Sequence, residues 1–385
     1  MRYADATDLD AVAAPPYDVV SPDDWARLAS RSEHNAILIE VPAGDAGTKY
    51  RHAADLLAAW RAEGVLVTDS VPAFYGYRMS FDDEQGQPRQ TTGVIGALEL
   101  SGPDEGEILP HERTTPKDKA DRLELLRSTQ LNTSPVWGLT PSPLTGRLQP
   151  VSKTLSTTDE DGVVHELWLI TDRAQVDAIS DAVAAAPITV ADGHHRTEVA
   201  LAYRDERRAA GDGEGPWDFV MALVVELAPE QLDVRPIHRL IDRLPADIDL
   251  PSLLGEWFEV SPTAPIDATI AGRMADSGSL ALVTADGTWL MKPRPETVKA
   301  AEHDLDSSRL DVALAGIPQH GLRFQHGSDL VAAAVQKGEA QAGVLLRPAT
   351  VEQIAATGRG EGRMPPKTTF FYPKPRTGLV FRPAG

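Results

Sequence analysis

The segment from Ile188 to Leu201, Ile-Thr-Val-Ala-Asp-Gly-His-His-Arg-Thr-Glu-Val-Ala-Leu, constrains the fold more than any other part of this chain. Its β-branched beginning predicts a short strand, the pair Asp192-Gly193 predicts a tight turn, and the residues that follow predict a helix. Glycine lets the backbone approach a ligand closely. The first amides of a helix have no acceptor within the helix and lie at the positive end of its dipole. The segment therefore predicts an anion-binding turn between a strand and a helix.

The side chains of this turn favour phosphate as the anion. Arg196 carries a planar fork of donors that matches phosphate oxygens, and we expect contacts to the ligand from Asp192, Gly193, His194, His195 and Arg196. We also expect a catalytic role for His194 and a metal-binding role for Asp192. The alternative is that Asp192 caps an ordinary helix and that both histidines are simply solvated.

Composition limits the chemistry and the partners of the protein. Its 385 residues contain no cysteine, which excludes disulfides, thiolate nucleophiles and cysteine-bound zinc. The formal charge of −20 argues against a broad nucleic-acid-binding surface. No apolar run is long enough to cross a bilayer, and the first ten residues are too polar for a signal peptide. We expect a cytoplasmic protein that binds a small phosphorylated molecule, and the sequence leaves homo-oligomerisation open.

A second polar segment lies at another predicted helix start, where Thr115 and Pro116 favour the beginning of a helix that runs to about residue 129. Glu112 is expected to act as a base or Mg²⁺ ligand, and His111 to transfer a proton. Lys117 and Arg122 are expected to neutralise phosphate. The alternative is that these charged residues form an ordinary solvated helix face.

Three more segments supply candidates. Asp18 follows the rigid Pro15-Pro16-Tyr17 turn and is expected to act as a base, although an aspartate in such a place more often forms a turn or cap. His238 and Arg239 follow a proline near a predicted strand end, and Lys367 lies in a proline-rich loop; all three are expected to contact the ligand. The chain has no His-x-x-x-His pair, no phosphate-binding P-loop and no Gly-x-Gly-x-x-Gly motif.

Strands alternate with helices along the chain and predict a mixed α/β (α+β) fold. We expect an N-terminal α/β region with two site motifs at 1–140, a central phosphate-binding region at 141–245, and an auxiliary C-terminal α/β region at 246–385. The run from Ala36 to Val41 predicts a strand. The Pro-, Ser- and Thr-rich stretch at 141–162 predicts a linker or mobile loop.

Five polar segments, taken in order, resemble the domain of unknown function 1015 family, a resemblance that brings no settled activity; they cover residues 14–22, 110–122, 188–201, 235–239 and 364–374. The segment around Asp192 also resembles the helix start of the ParB/sulfiredoxin-like superfold, which includes nucleotide-dependent free-serine kinases and CTP-hydrolysing partition proteins. This second resemblance implies a ParB/sulfiredoxin-like central core with additional N- and C-terminal α/β elements. It also implies that the ligand is a nucleotide.

Together these features predict nucleotide-dependent phosphoryl transfer to or from a small hydroxylated metabolite, with serine as the acceptor that the superfold resemblance implies. The expected cofactors are a nucleoside di- or triphosphate and Mg²⁺. The same residues would serve a metabolite phosphatase, in which His111 or His194 attacks phosphorus or protonates the leaving group. A non-enzymatic switch protein gated by a nucleotide is the third reading.

Overall fold

The computed structural model describes residues 1–45, 47–102, 106–110, 116–150, 153–245, 248–317, 319–358, 364–365 and 367–385. Within these ranges the fold is mixed α/β, as predicted. The helices are α1 Leu9–Val12, α2 Pro22–Arg31, α3 Ile37–Glu40, α4 Lys49–Ala62, α5 Pro116–Thr129, α6 Arg173–Ala184, α7 His194–Ala209, α8 Leu250–Leu254, α9 Ile270–Ser277, α10 Pro295–Ala300, α11 Asp306–Ala315, α12 Ser328–Gln336 and α13 Val351–Gly358.

The strands, in chain order, are β1 Arg2–Tyr3, β2 Leu66–Val67, β3 Phe74–Asp82, β4 Pro88–Glu99, β5 Ile108–Pro110, β6 Leu131–Asn132, β7 Val136–Thr140, β8 Thr154–Thr158, β9 Val164–Ile170, β10 Ile188–Asp192, β11 Phe219–Glu226, β12 Asp233–Pro236, β13 His238–Asp242, β14 Phe258–Thr263, β15 Leu280–Thr284, β16 Gly287–Pro293, β17 Gly321–Gln325, β18 Ala342–Leu345, β19 Thr369–Tyr372 and β20 Arg382–Pro383.

The chain divides into two compact units. Unit 1 comprises Met1–Asp233 and Pro373–Gly385, and unit 2 comprises Val234–Tyr372. Unit 2 is therefore inserted in the sequence of unit 1, which continues after it. Of the predicted region boundaries, the one at 140/141 falls inside unit 1 and the one at 245/246 falls inside unit 2.

Unit 1 is built on a sheet whose strand order, in the described residues, is β5-β10-β7-β11-β4-β3-β9-β8. Strand β10 lies parallel to β5 and antiparallel to β7, so it is flanked on both sides. Ile188 packs with Ile179 of α6, and Val190 packs with Ala200 of α7. Residues 188 and 190 point to the same face of a strand, so both helices contribute to the core beside β10.

Two predictions of secondary structure are wrong. The run from Ala36 to Val41 contains the short helix α3 rather than a strand, and the Asn35 carboxamide oxygen accepts from the Ile37 amide at 3.0 Å, just before the helix begins. A short apolar run does not distinguish a buried helix from a buried strand, because both bury every side chain. The stretch at 141–162 is not only a loop, because strand β8 pairs with β9 at the edge of the sheet.

Unit 2 contains an antiparallel sheet with the strand order β14-β16-β15-β18-β13-β17, together with the pair β12-β19. Leu310 of α11 packs on one face of the larger sheet, and Val331 of α12 packs on the other. A tight turn at Asp286-Gly287 connects β15 to β16, where Thr284 pairs with Gly287. No helix in the described ranges is long and apolar enough to span a membrane.

Candidate functional site

The predicted turn lies at the end of β10, where the sheet is locally irregular. The register between β10 and β7 shifts between Val190 and Asp192, which is the position of a β-bulge. Bulges redirect the side chains that follow them. Gly193 then adopts a left-handed conformation with φ of 89°, and α7 begins at the next residue. A Cβ atom at this glycine would lie 2.9 Å from Nε of Arg196, so the close approach of that side chain requires glycine as well.

The Asp192 carboxylate is held between two cations. Its Oδ2 accepts from Nη2 of Arg196 at 2.7 Å, and its Oδ1 forms a close ion pair with Nζ of Lys374. Burial alone would raise the pKa of Asp192, but the charges of Lys374 and Arg196 outweigh it and hold the pKa well below its usual range. Asp192 therefore remains ionised and fixed in position at neutral pH.

Arg196 also reaches away from the turn. Its Nη1 donates to Ser134 Oγ at 3.1 Å and to the carbonyl oxygen of Pro135. The Ser134 hydroxyl in turn donates to Oε1 of Glu40 at 3.0 Å. Both Nη atoms of Arg196 are thus engaged by the protein, so the guanidinium fastens the turn to neighbouring elements.

Asp18 lies near this clamp but remains accessible to solvent. It belongs to a short 3-10 turn, Tyr17–Val19. Loss of hydration and the negative charge of Asp192 raise the pKa of Asp18, and the charges of Lys374 and Arg196 oppose the rise. The pKa values of these two neighbouring carboxylates are therefore shifted in opposite directions, because Lys374 and Arg196 form ion pairs with Asp192.

Tyr17 and Arg122 form the adjoining wall. The Arg122 guanidinium carbon lies 4.6 Å from the centre of the Tyr17 ring, and its Nη1 donates to the carbonyl oxygen of Glu40 at 2.6 Å. Arg122 also pairs with the Asp121 carboxylate. Burial raises the pKa of Tyr17 to about 12, with the charge of Arg196 opposing it and that of Asp18 adding to it. The phenol is therefore a hydrogen-bond donor throughout the neutral range.

Helices α5 and α7 run parallel and side by side. Lys119 near the start of α5 pairs with Glu198 near the start of α7, and eight residues later on both helices Arg127 Nε donates to Glu206 Oε2 at 2.9 Å. Equal spacing of the two contacts requires the helices to point in the same direction. Their N-termini therefore lie at the same end, where the positive ends of two dipoles add.

The start of α7 is capped differently from the start of α2. Helix α2 has a full capping box in which the Ser21 side chain and Asp24 bond each other's backbone amides. Helix α7 has neither a side-chain cap nor an acidic residue in its first turn. The first amides of a helix are groups that bind phosphate and carboxylate ligands in other proteins.

The remaining predicted residues are divided between the two units and the undescribed segment. His111 and Glu112 lie outside the described residues. The backbone of Lys117 belongs to α5, but its side chain is likewise outside the described part. His195 follows His194 in the first turn of α7. Unit 1 thus brings together Asp18, Arg122 and the turn at 192–196.

Three predicted residues belong to unit 2. His238 is buried, its Nδ1 accepts from the Leu346 amide at 3.1 Å, and burial lowers its pKa to about 4, with the charges of His326 and Arg239 adding to the effect. Arg239 is buried beside it, and its Nη1 donates to the carbonyl oxygens of Ile237 and Lys367. Arg239 and Lys367 are therefore joined, with Arg239 tying the loop of Lys367 to β13.

Three residues outside the expected set of ligand contacts complete the arrangement, namely Lys374, Ser134 and Glu40. Lys374 stands between Pro373 and Pro375, and this stiff setting was a usable signal. Glu40 ends the apolar run Ile-Leu-Ile, where an ionisable residue with 1% exposure is unusual. Nothing in the local sequence marks Ser134.

The carboxylates that could bind a divalent cation at this site are Asp192 and Asp18. No group of three or more histidine and acidic side chains suited to a metal occurs in the described part of the chain. Mg²⁺ needs only one or two carboxylates, because water and substrate phosphates complete its octahedron. Both oxygens of Asp192 already accept from cations, whereas the accessible Asp18 carboxylate fits this requirement.

A family model described as "Protein of unknown function (DUF1015)" matches residues 1–313, and the chain belongs to this family, as its ordered motifs indicated. No curated protein matches the sequence significantly.

Similar solved structures include a conserved hypothetical protein from Pyrococcus furiosus, with 13% identity, TM-score 0.38, and coverage of 74% of this chain and 95% of that one. A free serine kinase variant in complex with AMP has 13% identity, TM-score 0.40 and coverage of 74% and 91%. SbnI from Staphylococcus aureus, truncated at its C-terminus, has 11% identity, TM-score 0.41 and coverage of 75% and 87%.

Proposed function

We propose that this member of the family transfers a phosphoryl group from a nucleoside triphosphate to a small hydroxylated metabolite. The observation that carries the proposal is the arrangement at the common end of α5 and α7. Two parallel helices begin together there, α7 lacks any acidic or capping side chain in its first turn, and an accessible carboxylate, Asp18, stands beside the turn. Phosphoryl transfer depends on such positioning and charge stabilisation more than on covalent chemistry by the protein.

Each part has a distinct task in this proposal. The amides of His194 and His195 bind phosphate oxygens, and Arg196 and Lys374 hold Asp192 so that the left-handed turn at Gly193 keeps its shape. Asp18 orients the acceptor or helps to hold Mg²⁺, which when bound neutralises the charge of the phosphates. Glu112, in the undescribed segment before α5, is proposed as the base, and Lys117 as a further phosphate contact.

The tested change is Asp18→Asn. Its side chain keeps its size and loses its charge, so it should preserve the fold and lower turnover by roughly 10²-fold or more, as is usual for a group that acts in acid-base catalysis or charge stabilisation. The matched control is Asp23→Asn, an exposed residue on α2 a few positions further along the chain.

The assay incubates each protein with ATP, Mg²⁺ and a pool of hydroxylated metabolites that includes L-serine. Mass spectrometry follows both the loss of ATP and the appearance of phosphorylated metabolites. We expect wild type and Asp23→Asn to form a phosphometabolite in step with ADP. ATP loss without any phosphometabolite, or no turnover at all, would contradict the proposed transfer.

A further inference from the structure

A chain of buried hydrogen bonds in unit 1 links β9 to the C-terminal segment that carries Lys374. His165 of β9 has its Nε2 3.1 Å from Oδ2 of Asp159 and its Nδ1 2.7 Å from the hydroxyl oxygen of Tyr77. The same hydroxyl oxygen accepts from the Arg376 amide at 3.0 Å. Tyr77 and His165 are each 1% exposed. A buried side chain of β3 therefore holds a backbone amide two residues from Lys374.

The protons of this chain are placed by its two ends. The Arg376 amide can only donate. At the other end, burial would raise the pKa of Asp159, but its bond to His165 outweighs this and lowers it, so the ionised carboxylate can only accept. Nε2 of His165 therefore carries a proton, and Nδ1 accepts the hydroxyl proton of Tyr77. The neutral imidazole satisfies all of these groups.

A second proton on His165 disrupts this arrangement. Its Nδ1–H then points at the Tyr77 oxygen, and the hydroxyl proton of Tyr77 loses its only acceptor among the described residues. A buried hydroxyl without an acceptor costs free energy. Departure of the Arg376 segment would admit water to accept that proton, so protonation favours release.

The charged groups around His165 are of both signs. They are Asp159 and Glu160 in the turn before β9, Arg376, Arg27 and Arg31 of α2, which pair with Glu160, and Asp10 of α1, which accepts from Thr157 on the neighbouring strand β8. Burial lowers the pKa of His165 and the charge of Arg376 adds to this, while the charges of Asp159 and Glu160 oppose it. The docked segment therefore favours the neutral form.

Pro375 couples the Arg376 amide to Lys374. A proline ring fixes its own φ and restricts the residue before it, so these three residues form a stiff unit. On the other side, Thr377 exchanges backbone hydrogen bonds with Ala14 at 2.7 and 3.1 Å. Ala14 leads directly into the proline-rich turn of the site.

We infer that Tyr77 and His165 form a proton-sensitive latch that positions Lys374 against Asp192. Both act through Lys374 and are positioning residues: the closed latch keeps the lysine on the Asp192 carboxylate, and a proton on His165 raises the population of a minor, released state. The inference rests on the proposed function in one respect only, namely that the turn so held binds nucleotide.

The test measures hydrogen exchange at the Arg376 amide in the full chain, without nucleotide or Mg²⁺. Labelling with ¹³C-carbonyl proline and ¹⁵N-arginine selects the amides of the Pro-Arg pairs, which lie at 88–89, 293–294 and 375–376. The Arg294 amide, which donates to the carbonyl oxygen of Trp257 at 3.0 Å in unit 2, is the internal reference. Protection factors corrected for intrinsic exchange report the opening of each bond.

We expect the protection of the Arg376 amide to fall about tenfold from about pH 7.5 to about pH 5.5, because a released histidine with a pKa of about 6.5 changes from about 10% to about 90% protonated. The Arg294 amide should keep its protection. His165→Gln should abolish the pH dependence, and Tyr77→Phe should lower the protection at both pH values. His52→Gln, at an exposed histidine of α4, should behave as wild type.

A double-mutant cycle tests the link to Lys374. Tyr77→Phe and Lys374→Met should together lower the urea midpoint by less than the sum of their single effects, because both remove the same support. Additive effects would overturn the assignment of Tyr77 as a positioning residue.

Equal pH dependence of the Arg376 and Arg294 amides in wild type would overturn the latch, and this comparison requires no variant to fold. Persistence of the pH dependence in folded His165→Gln would overturn it as well. Constant protection of Arg376 would leave the ATP assay above unaffected, whereas a functioning latch without ATP turnover would contradict only the proposed transfer.

Discussion

The ion pair between Lys374 and Asp192 should be a measurable source of stability for unit 1. We expect Lys374→Met, which keeps the apolar stem and removes the charge, to lower the free energy of unfolding at neutral pH. Breaking a fully buried pair from one side costs about 3 to 5 kcal/mol. Here Asp192 keeps its bond to Arg196, and the side chains of Lys374 and Asp192 are 12% and 14% exposed, so the expected loss is nearer the 2 kcal/mol typical of one charge-assisted hydrogen bond.

The loss of unfolding free energy caused by Lys374→Met should become smaller as the pH falls. The pKa of Asp192 is lowered in the folded protein, so its ion pairs contribute fully above the ordinary aspartate pKa of about 4 and are lost as pH falls below it. The difference between wild type and Lys374→Met should therefore be constant from pH 7 to about pH 5 and shrink on further acidification.

The assay is urea unfolding of the full chain, followed by tryptophan fluorescence at a series of pH values. In a thermal scan, 2 kcal/mol corresponds to a fall in Tm of about 4 to 8 °C for a unit of this size. Lys153→Met, which removes an exposed lysine of unit 1, is the control. Equal stability of the two variants would refute the reasoning, and so would a difference that grows as the pH falls.

Two further predictions concern the turn. Gly193→Ala should lower the free energy of unfolding more than Gly211→Ala, because both glycines have φ near 90° but only the first would place a Cβ against Arg196, and thermal unfolding of the pair measures the difference. Arg196→Lys should cost about 1 to 3 kcal/mol in urea unfolding, since one ammonium group cannot hold both Asp192 and Ser134; unchanged stability would mean that charge alone suffices there.

The turn at 188–201 was predictable from sequence because its signals are local. β-branched residues, an Asp-Gly pair and a helical pattern each act over a few residues, and the structure contains the strand, the left-handed glycine and the helix in that order. The family was predictable for a different reason, since five motifs in a fixed order identified it before any geometry was known.

The partners of that turn were not predictable, because they come from distant parts of the chain. Lys374 is separated from Asp192 in the sequence by all of unit 2, and Ser134, which bonds both Arg196 and Glu40, also comes from a distant part of the chain. The secondary structure of the short run at 36–41 was not predictable for a related reason. Its burial was evident from composition, but helix and strand bury such a run equally well, and only the surrounding structure selects between them.

The central claim is that nucleotide phosphate binds to the first amides of α7. The most direct measurement labels the protein with ¹⁵N-histidine and follows the backbone amides of His194 and His195 during titration with ADP and Mg²⁺. We expect both resonances to shift saturably, with the same affinity that calorimetry gives for ADP. Saturation of ADP binding by calorimetry, without movement of either resonance, would place the nucleotide elsewhere and contradict the account.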